Sequence, residues 1–111
     1  MRAIALSIMT LALVGCSKGK NEPPSDGAYI VAGKEYVRQT LKDAKSAEFQ
    51  NVSVSRSAGM PVICGEVNAK NSFGGYNGYR RFISGGPGPA TQIEGEGMEA
   101  SEFAKTWDTV C

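Results

Sequence analysis

The sequence predicts an α+β domain in which a small antiparallel sheet of three to four strands carries an N-terminal helix and a C-terminal helix tied back by a disulfide. Three observations predict this fold class. Apolar residues recur at helical spacing near both ends of the folded region, apolar and polar residues alternate between those ends, and glycine-rich stretches separate the alternating segments. The chain has 111 residues, enough for one small domain, which we place at residues 28–111.

The first element is a helix predicted over residues 28–47, whose apolar side chains fall on one stripe. Gly33 weakens its early part by about 1 kcal/mol relative to alanine, so the firm portion is expected to start near Lys34. The stripe should face the sheet. Its members are Ile30, Val37, Leu41 and Ala44.

Alternation of apolar and polar residues predicts two neighbouring antiparallel strands, over residues 49–57 and 60–70. In the second strand, Ile63 and Val67 lie on one side and Cys64 lies on the other. Each strand should therefore bury one side.

Two further strands are expected on the C-terminal side of a glycine-rich reversal. Gly74 and Gly75 supply the backbone freedom that a reversal needs, and residues 76–83 can then run back as a third strand. A last, short strand is predicted near residues 91–94.

The C-terminal element is a helix predicted from about Glu99. Glu99 and Glu102 lie in its first turn, where the helix dipole favours acidic side chains. One face is apolar and includes the single tryptophan of the chain, which we expect in the core. That face consists of Ala100, Phe103, Ala104, Trp107, Val110 and Cys111.

The N-terminus has the form of an export signal, with Arg2 followed by an apolar run of about 12 residues, too short for a helix that crosses a bilayer. The run closes with Leu13-Val14-Gly15-Cys16, which resembles the lipobox of bacterial lipoproteins. The resemblance implies cleavage after residue 15 and lipid on the Cys16 thiol. The alternative is an ordinary secretory signal that ends by chance in a cysteine.

A tether is predicted between the signal and the folded domain. Residues 16–27 offer no apolar side chain to bury after the lipidated cysteine and contain two prolines, which suits a flexible linker. Two or more acyl chains anchor a protein stably, so the membrane is an expected partner through the lipid. Because Ser17 follows the cysteine where aspartate would suggest inner-membrane retention, we expect the outer membrane, facing the periplasm.

Cys64 and Cys111 remain after Cys16 is lipidated, and an even pair in an exported chain predicts a disulfide. The alternative is a metal-binding or nucleophilic thiol pair. That alternative lacks side chains to act with the two thiols, since the chain contains no histidine. We expect neither a metal nor a cofactor.

Part of the folded region resembles small exported proteins and lipoproteins of proteobacteria. The similarity lies in Cys-Gly-Glu-Val-Asn-Ala-Lys-Asn-Ser-Phe-Gly-Gly-Tyr over residues 64–76, continues to Phe82, and also covers residues 41–49. It spans about half of the mature domain. The resemblance implies a fold and a cellular location, and it implies no activity.

Composition excludes several function classes. Without Arg2, eleven basic residues balance eleven acidic ones, whereas nucleic-acid binders normally carry a basic excess, so no nucleic acid is expected as partner. Absence of histidine excludes a Ser-His or Cys-His mechanism. Glu66 with Glu94 or Glu96 could form an acid–base pair, although scattered glutamates on a solvated face explain them more simply.

The leading functional prediction is a lipid-anchored, non-catalytic binding module of the cell envelope, with an envelope protein as its partner. The alternatives are an inhibitor or exclusion factor that blocks an envelope enzyme or receptor, and a weak carboxylate-based hydrolase. We place the binding surface on the hairpin of residues 68–82, because exposed aromatics beside arginines are enriched at interaction hot spots. Alternatively, its aromatics are core and its arginines solvated. The candidate binding residues are Asn68, Asn71, Tyr76, Tyr79, Arg80 and Arg81.

Overall fold

The structure, a computed structural model, describes residues 22–111. The predicted signal peptide, Cys16 and most of the predicted tether lie outside these residues. The described part contains two α-helices and four β-strands, arranged along the chain as α1 (Asp26–Thr40), β1 (Glu48–Ser55), β2 (Val62–Asn68), β3 (Arg80–Ser84), β4 (Thr91–Ile93) and α2 (Ala100–Val110).

The strands of residues 22–111 form one antiparallel sheet in the order β1-β2-β3-β4, so the predicted α+β class is confirmed. Phe49 of β1 pairs with Val67 of β2, and Cys64 of β2 pairs with Ile83 of β3. A bulge interrupts β1, where Asn51 takes a φ of 54°. The two central strands, β2 and β3, carry most of the buried side chains of the sheet.

Helix α1 starts earlier and ends earlier than its sequence pattern predicts. It begins at Asp26 because the Ser25 hydroxyl accepts a hydrogen bond from the Ala28 N–H at 3.2 Å and caps the first turn. It ends at Thr40 because Leu41 is extended, with a ψ of 148°. The predicted continuation to residue 47 is therefore wrong: residues 44–46 form a separate 3₁₀ turn.

Gly33 does not delay the start of α1, contrary to the expected start near Lys34. It lies in the middle of the helix and is buried against β2. A Cβ atom placed there would lie 2.6 Å from Cγ1 of Ile63. The glycine thus lets the helix approach the sheet closely, and this packing outweighs its low helix propensity.

The third strand is shorter than predicted, because it begins at Arg80 instead of residue 76. Before it, Tyr76 makes an isolated bridge to Lys70. Gly78 has a φ of 92°, and its N–H donates to the side-chain oxygen of Asn68 at 3.1 Å instead of to a neighbouring strand. The hairpin between β2 and β3 is therefore a long, side-chain-supported loop.

Each face of the sheet carries one helix, so the expectation that each strand buries only one side is wrong for β2. On one face, α1 packs through Val37 onto a core of sheet residues. On the other, α2 packs through Phe103. The sheet residues of the α1 face are Ile63, Val67, Phe82 and Ile93, and those of the α2 face are Val62, Cys64 and Ile83.

The disulfide between Cys64 and Cys111 is confirmed, with a Cα–Cα distance of 6.0 Å and a sequence separation of 47. It joins the central strand β2 to the residue that follows α2. Trp107 is half-buried and packs against the buried cluster on the α2 face, so it lies at the edge of the core.

Candidate binding site at the hairpin end of the sheet

The loop of residues 69–79, here called the hairpin loop, is organised by the side chain of Asn71. Its Oδ1 accepts hydrogen bonds from the N–H groups of Phe73 at 2.9 Å and Gly75 at 3.2 Å. Its Nδ2 donates to Oδ1 of Asn77 at 3.0 Å. Gly74 takes a φ of 81°, which suits a residue without a Cβ atom. One asparagine thereby fixes the tip of the loop.

The hairpin loop is also held to the 3₁₀ turn that follows α1. The hydroxyl of Ser46 accepts from the Lys70 N–H at 2.8 Å, and its carbonyl accepts from the Tyr76 hydroxyl at 3.1 Å. Partial burial and the negative charges of Glu48 and Asp43 raise the pKa of Tyr76, so its phenol stays a hydrogen-bond donor at neutral pH. Tyr76 therefore has a positioning role in the loop.

Three aromatic side chains of the hairpin loop are exposed, and one of them, Tyr76, is held by its hydroxyl. Phe73 is 97% exposed at the tip, between Asn71 and Gly75, the residues that fix the turn. Tyr79 is 40% exposed just before β3. A fully exposed phenylalanine on a hydrogen-bonded turn has no packing role in the fold, which makes it a candidate contact residue.

A cleft of about 190 Å³, here called the hairpin cleft, lies between the end of α1 and the hairpin loop. It is smaller than the 300–1,000 Å³ typical of sites for drug-sized ligands, so it has room for one small chemical group. Its lining consists of residues 40–42 and 69–72 with Asn77, Arg80 and Glu96.

The charged side chains that line the hairpin cleft are three cations and one carboxylate. Lys42 donates from Nζ to the Ser72 hydroxyl at 2.8 Å, and Nζ of Lys70 lies 5.8 Å from the ring centroid of Tyr76. Neither ammonium group forms an ion pair within residues 22–111. Arg80 pairs through Nη1 with Glu96 at 3.0 Å. Three cations thus face one carboxylate.

The structure brings together five of the six candidate binding residues named from the sequence. Asn71 and Arg80 line the hairpin cleft, Asn68 supports Gly78 behind it, and Tyr76 and Tyr79 belong to the hairpin loop.

Arg81 is not part of this group because it lies on the opposite face of the sheet. Its Nη2 contacts Glu94 at 2.6 Å, and its guanidinium lies 5.4 Å from the ring of Phe103 and 5.1 Å from that of Trp107. These contacts give Arg81 a structural role under α2.

Sequence reasoning missed Lys42 and Phe73. Lys42 is 30 residues from its partner Ser72, so no local pattern could connect the two. Phe73 did carry a signal, because it is an apolar residue enclosed by the turn-forming residues Asn71, Ser72 and Gly74, where no core position is expected.

The three glutamates considered for acid–base chemistry are separately engaged. Glu66 accepts from Nδ2 of Asn51 at 2.8 Å, and Glu96 pairs with Arg80. The hydrogen bond from the Arg81 guanidinium lowers the pKa of Glu94, the opposite of what a general acid needs. The geometry gives these side chains hydrogen-bonding and ion-pairing roles.

Comparison with protein-family models, curated proteins and solved structures finds no match for this chain.

Neither helix in residues 22–111 is long and apolar enough to cross a bilayer. In the same range, no group of three or more histidine, cysteine or acidic side chains could hold a metal ion.

Proposed function

We propose that this chain is a lipid-anchored, non-catalytic binding module of the cell envelope, which contacts an envelope protein through its hairpin loop. The anchor is the lipidated Cys16 that the lipobox resemblance implies. The tip of the contact surface is Phe73.

The course of α1 supports this proposal by separating the anchor from the contact surface. The chain enters the domain at the first turn of α1, where Asp26 pairs with Arg56 at 2.6 Å. The hairpin cleft lies at the other end, beyond Thr40. A helix of 15 residues spans roughly 22 Å, so the hairpin loop lies at the end of the domain opposite the point where the chain enters, which leaves it available to a partner.

The exposure of Phe73 is the observation that carries the proposal. Because hydrogen bonds already fix the turn that carries Phe73, binding orders little additional backbone. Aromatic anchors supply much of the affinity at protein interfaces. Tyr79 extends the same surface. An apolar tip beside a cationic cleft is a surface for a partner that offers an apolar pocket next to negative charge.

The proposal is tested by site-specific photo-crosslinking of the full chain in living cells. Benzoylphenylalanine is placed at Phe73 and, as the matched control, at Met60. Met60 is 59% exposed, but it lies in the turn between β1 and β2 at the tether end. We expect a discrete cross-linked product from position 73 and not from position 60.

Two further variants separate anchoring from contact. Phe73→Ala should leave the free energy of unfolding within about 0.5 kcal/mol of the wild type while abolishing recovery of the same partner with chemical cross-linkers. Cys16→Ala should abolish labelling by a palmitate analogue. Identical products from positions 73 and 60 would contradict the contact surface, and unchanged palmitate labelling of Cys16→Ala would contradict the anchor.

A further inference from the structure

We infer that the hairpin cleft binds a phosphate monoester. The inference rests on the proposed function, since the cleft adjoins the hairpin loop that carries the proposed contact surface.

The charge of the cleft is the first reason. Lys42, Lys70 and Arg80 line it against the single carboxylate of Glu96, which leaves an excess of two positive charges. The mature chain as a whole has equal numbers of basic and acidic residues, so this excess is local. A phosphate monoester carries about −1.5 to −2 charges at pH 7 and compensates it, whereas a carboxylate would leave about one cation unmatched.

The hydrogen-bond donors of the cleft are the second reason. Ser72 accepts from Lys42, which leaves its own O–H free to donate. Asn77 accepts through Oδ1 from Asn71, an arrangement that fixes its amide and orients Nδ2 as a donor. Arg80 uses Nη1 for Glu96 and retains further N–H groups. A phosphate offers acceptor oxygens for all three.

The size and position of the cleft narrow the ligand further. A volume of about 190 Å³ exceeds a bare phosphate and admits the first part of a sugar attached to it. The cleft lies at the end of α1 opposite the point where the chain enters the domain. The phosphate is therefore part of a larger monoester, or it is the free ion.

Titration of the detergent-solubilised full chain with glucose 6-phosphate, inorganic phosphate and glucose tests the inference. Calorimetry should give saturable binding of the first, and no heat from glucose. In spectra of ¹⁵N-labelled protein, the side-chain amide signal of Asn77 should shift, while that of Asn51, which donates to Glu66 elsewhere on the sheet, should not. Equal affinity for inorganic phosphate would identify the free ion as the ligand of the same site.

The matched variants are Lys42→Gln with Lys70→Gln, and Lys105→Gln as the control on the exposed side of α2. Loss of a charged hydrogen-bonding group from the site should weaken glucose 6-phosphate binding about tenfold or more, and the control should change it less than about twofold. Absence of saturable phosphate binding, or an equal loss in Lys105→Gln, would overturn the inference.

Failure of this inference and failure of the proposed function give different results. If phosphate does not bind but position 73 still cross-links its partner, the cleft assignment alone is wrong. If phosphate binds and shifts Asn77 while positions 73 and 60 give identical products, the cleft assignment stands and the contact surface at Phe73 is wrong.

Discussion

The two faces of the sheet hold their helices by different means. On the α1 face, Val37, Val67 and Phe82 are fully buried, and Gly33 lets the helix sit directly on Ile63. On the α2 face, Phe103 is fully buried but Trp107 stays half-exposed. The α2 face adds a covalent bond, whereas α1 has no covalent link to the sheet and combines apolar packing with the exposed Asp26–Arg56 ion pair at its first turn.

A covalent bond compensates for the narrow contact between α2 and the sheet. Helix α2 has 11 residues, and isolated helices shorter than about 12–15 residues are marginal in water. Its contact with the sheet is built around Phe103, whereas α1 joins a core that also includes Phe49, which packs edge to face on Phe82 at 5.7 Å between ring centroids. The disulfide therefore matters for α2 and should matter little for α1.

The largest expected effect comes from removing the disulfide with Cys64→Ala and Cys111→Ala together. The bond closes a separation of 47 residues, and loss of that constraint should lower the free energy of unfolding by about 4 kcal/mol. Because Trp107 is the single tryptophan and lies on α2, its emission should shift to the red while the far-ultraviolet signal of the sheet persists.

The two faces would not differ in this way if the double variant kept the tryptophan emission of the wild type and its free energy of unfolding fell by less than about 1 kcal/mol. In that case the apolar contact of α2 would suffice without the covalent link.

A smaller effect is expected on the α1 face from Gly33→Ala. The new methyl group would lie 2.6–2.9 Å from three carbon atoms of Ile63, a core residue with little room to move. Overpacking costs about 1–3 kcal/mol, and the better helix propensity of alanine contributes about 1 kcal/mol in the other direction, so urea unfolding should show a net loss of up to about 2 kcal/mol.

Gly27→Ala is the matched control, because a Cβ atom there meets only the Ser25 hydroxyl at 3.8 Å. It should be neutral or slightly stabilising. If Gly33→Ala were as stable as Gly27→Ala, α1 would not be seated on β2 as closely as the structure shows.

The faces themselves could be predicted from the sequence, because alternation in β2 assigns Ile63 and Val67 to one side and Cys64 to the other. The residue at which α1 ends could not be predicted in the same way. Leu41 and Ala44 continue the helical spacing, but the hydroxyls of Thr40 and Ser46 donate to the carbonyls of Val37 and Asp43, and such local bonds compete with the helix.

The candidate site was predictable only in part. Tyr79 and Arg80 follow from a local pattern, whereas the hairpin cleft depends on Lys42 reaching a loop 30 residues away. The expected strand is also interrupted at Gly78, whose N–H donates to the side chain of Asn68 instead of to a neighbouring strand. The predicted alternation of side chains between the two faces is therefore shifted there. Alternation describes regular strands, so it fails where side chains take over the hydrogen bonding of the backbone.

The smallest expected effect concerns the ion pair of Arg81 and Glu94 under α2. The hydrogen bond from Arg81 lowers the pKa of Glu94 below its ordinary 4.5, so its stabilising contribution is present above pH 4.5 and is lost as the pH falls through the lowered folded-state value. Because the two side chains are 34% and 37% exposed, solvent screening should keep the contribution below about 1 kcal/mol.

Glu94→Gln should therefore flatten the dependence of unfolding free energy on pH below 4.5, and Glu102→Gln on the exposed side of α2 should leave that dependence as in the wild type. The wild-type slope should be positive, since the unfolded state binds the proton more readily. A loss of several kcal/mol in Glu94→Gln at pH 7 would mean that the ion pair holds α2 to the sheet. The disulfide would then reinforce an attachment that already exists, and the contrast between the two faces would disappear.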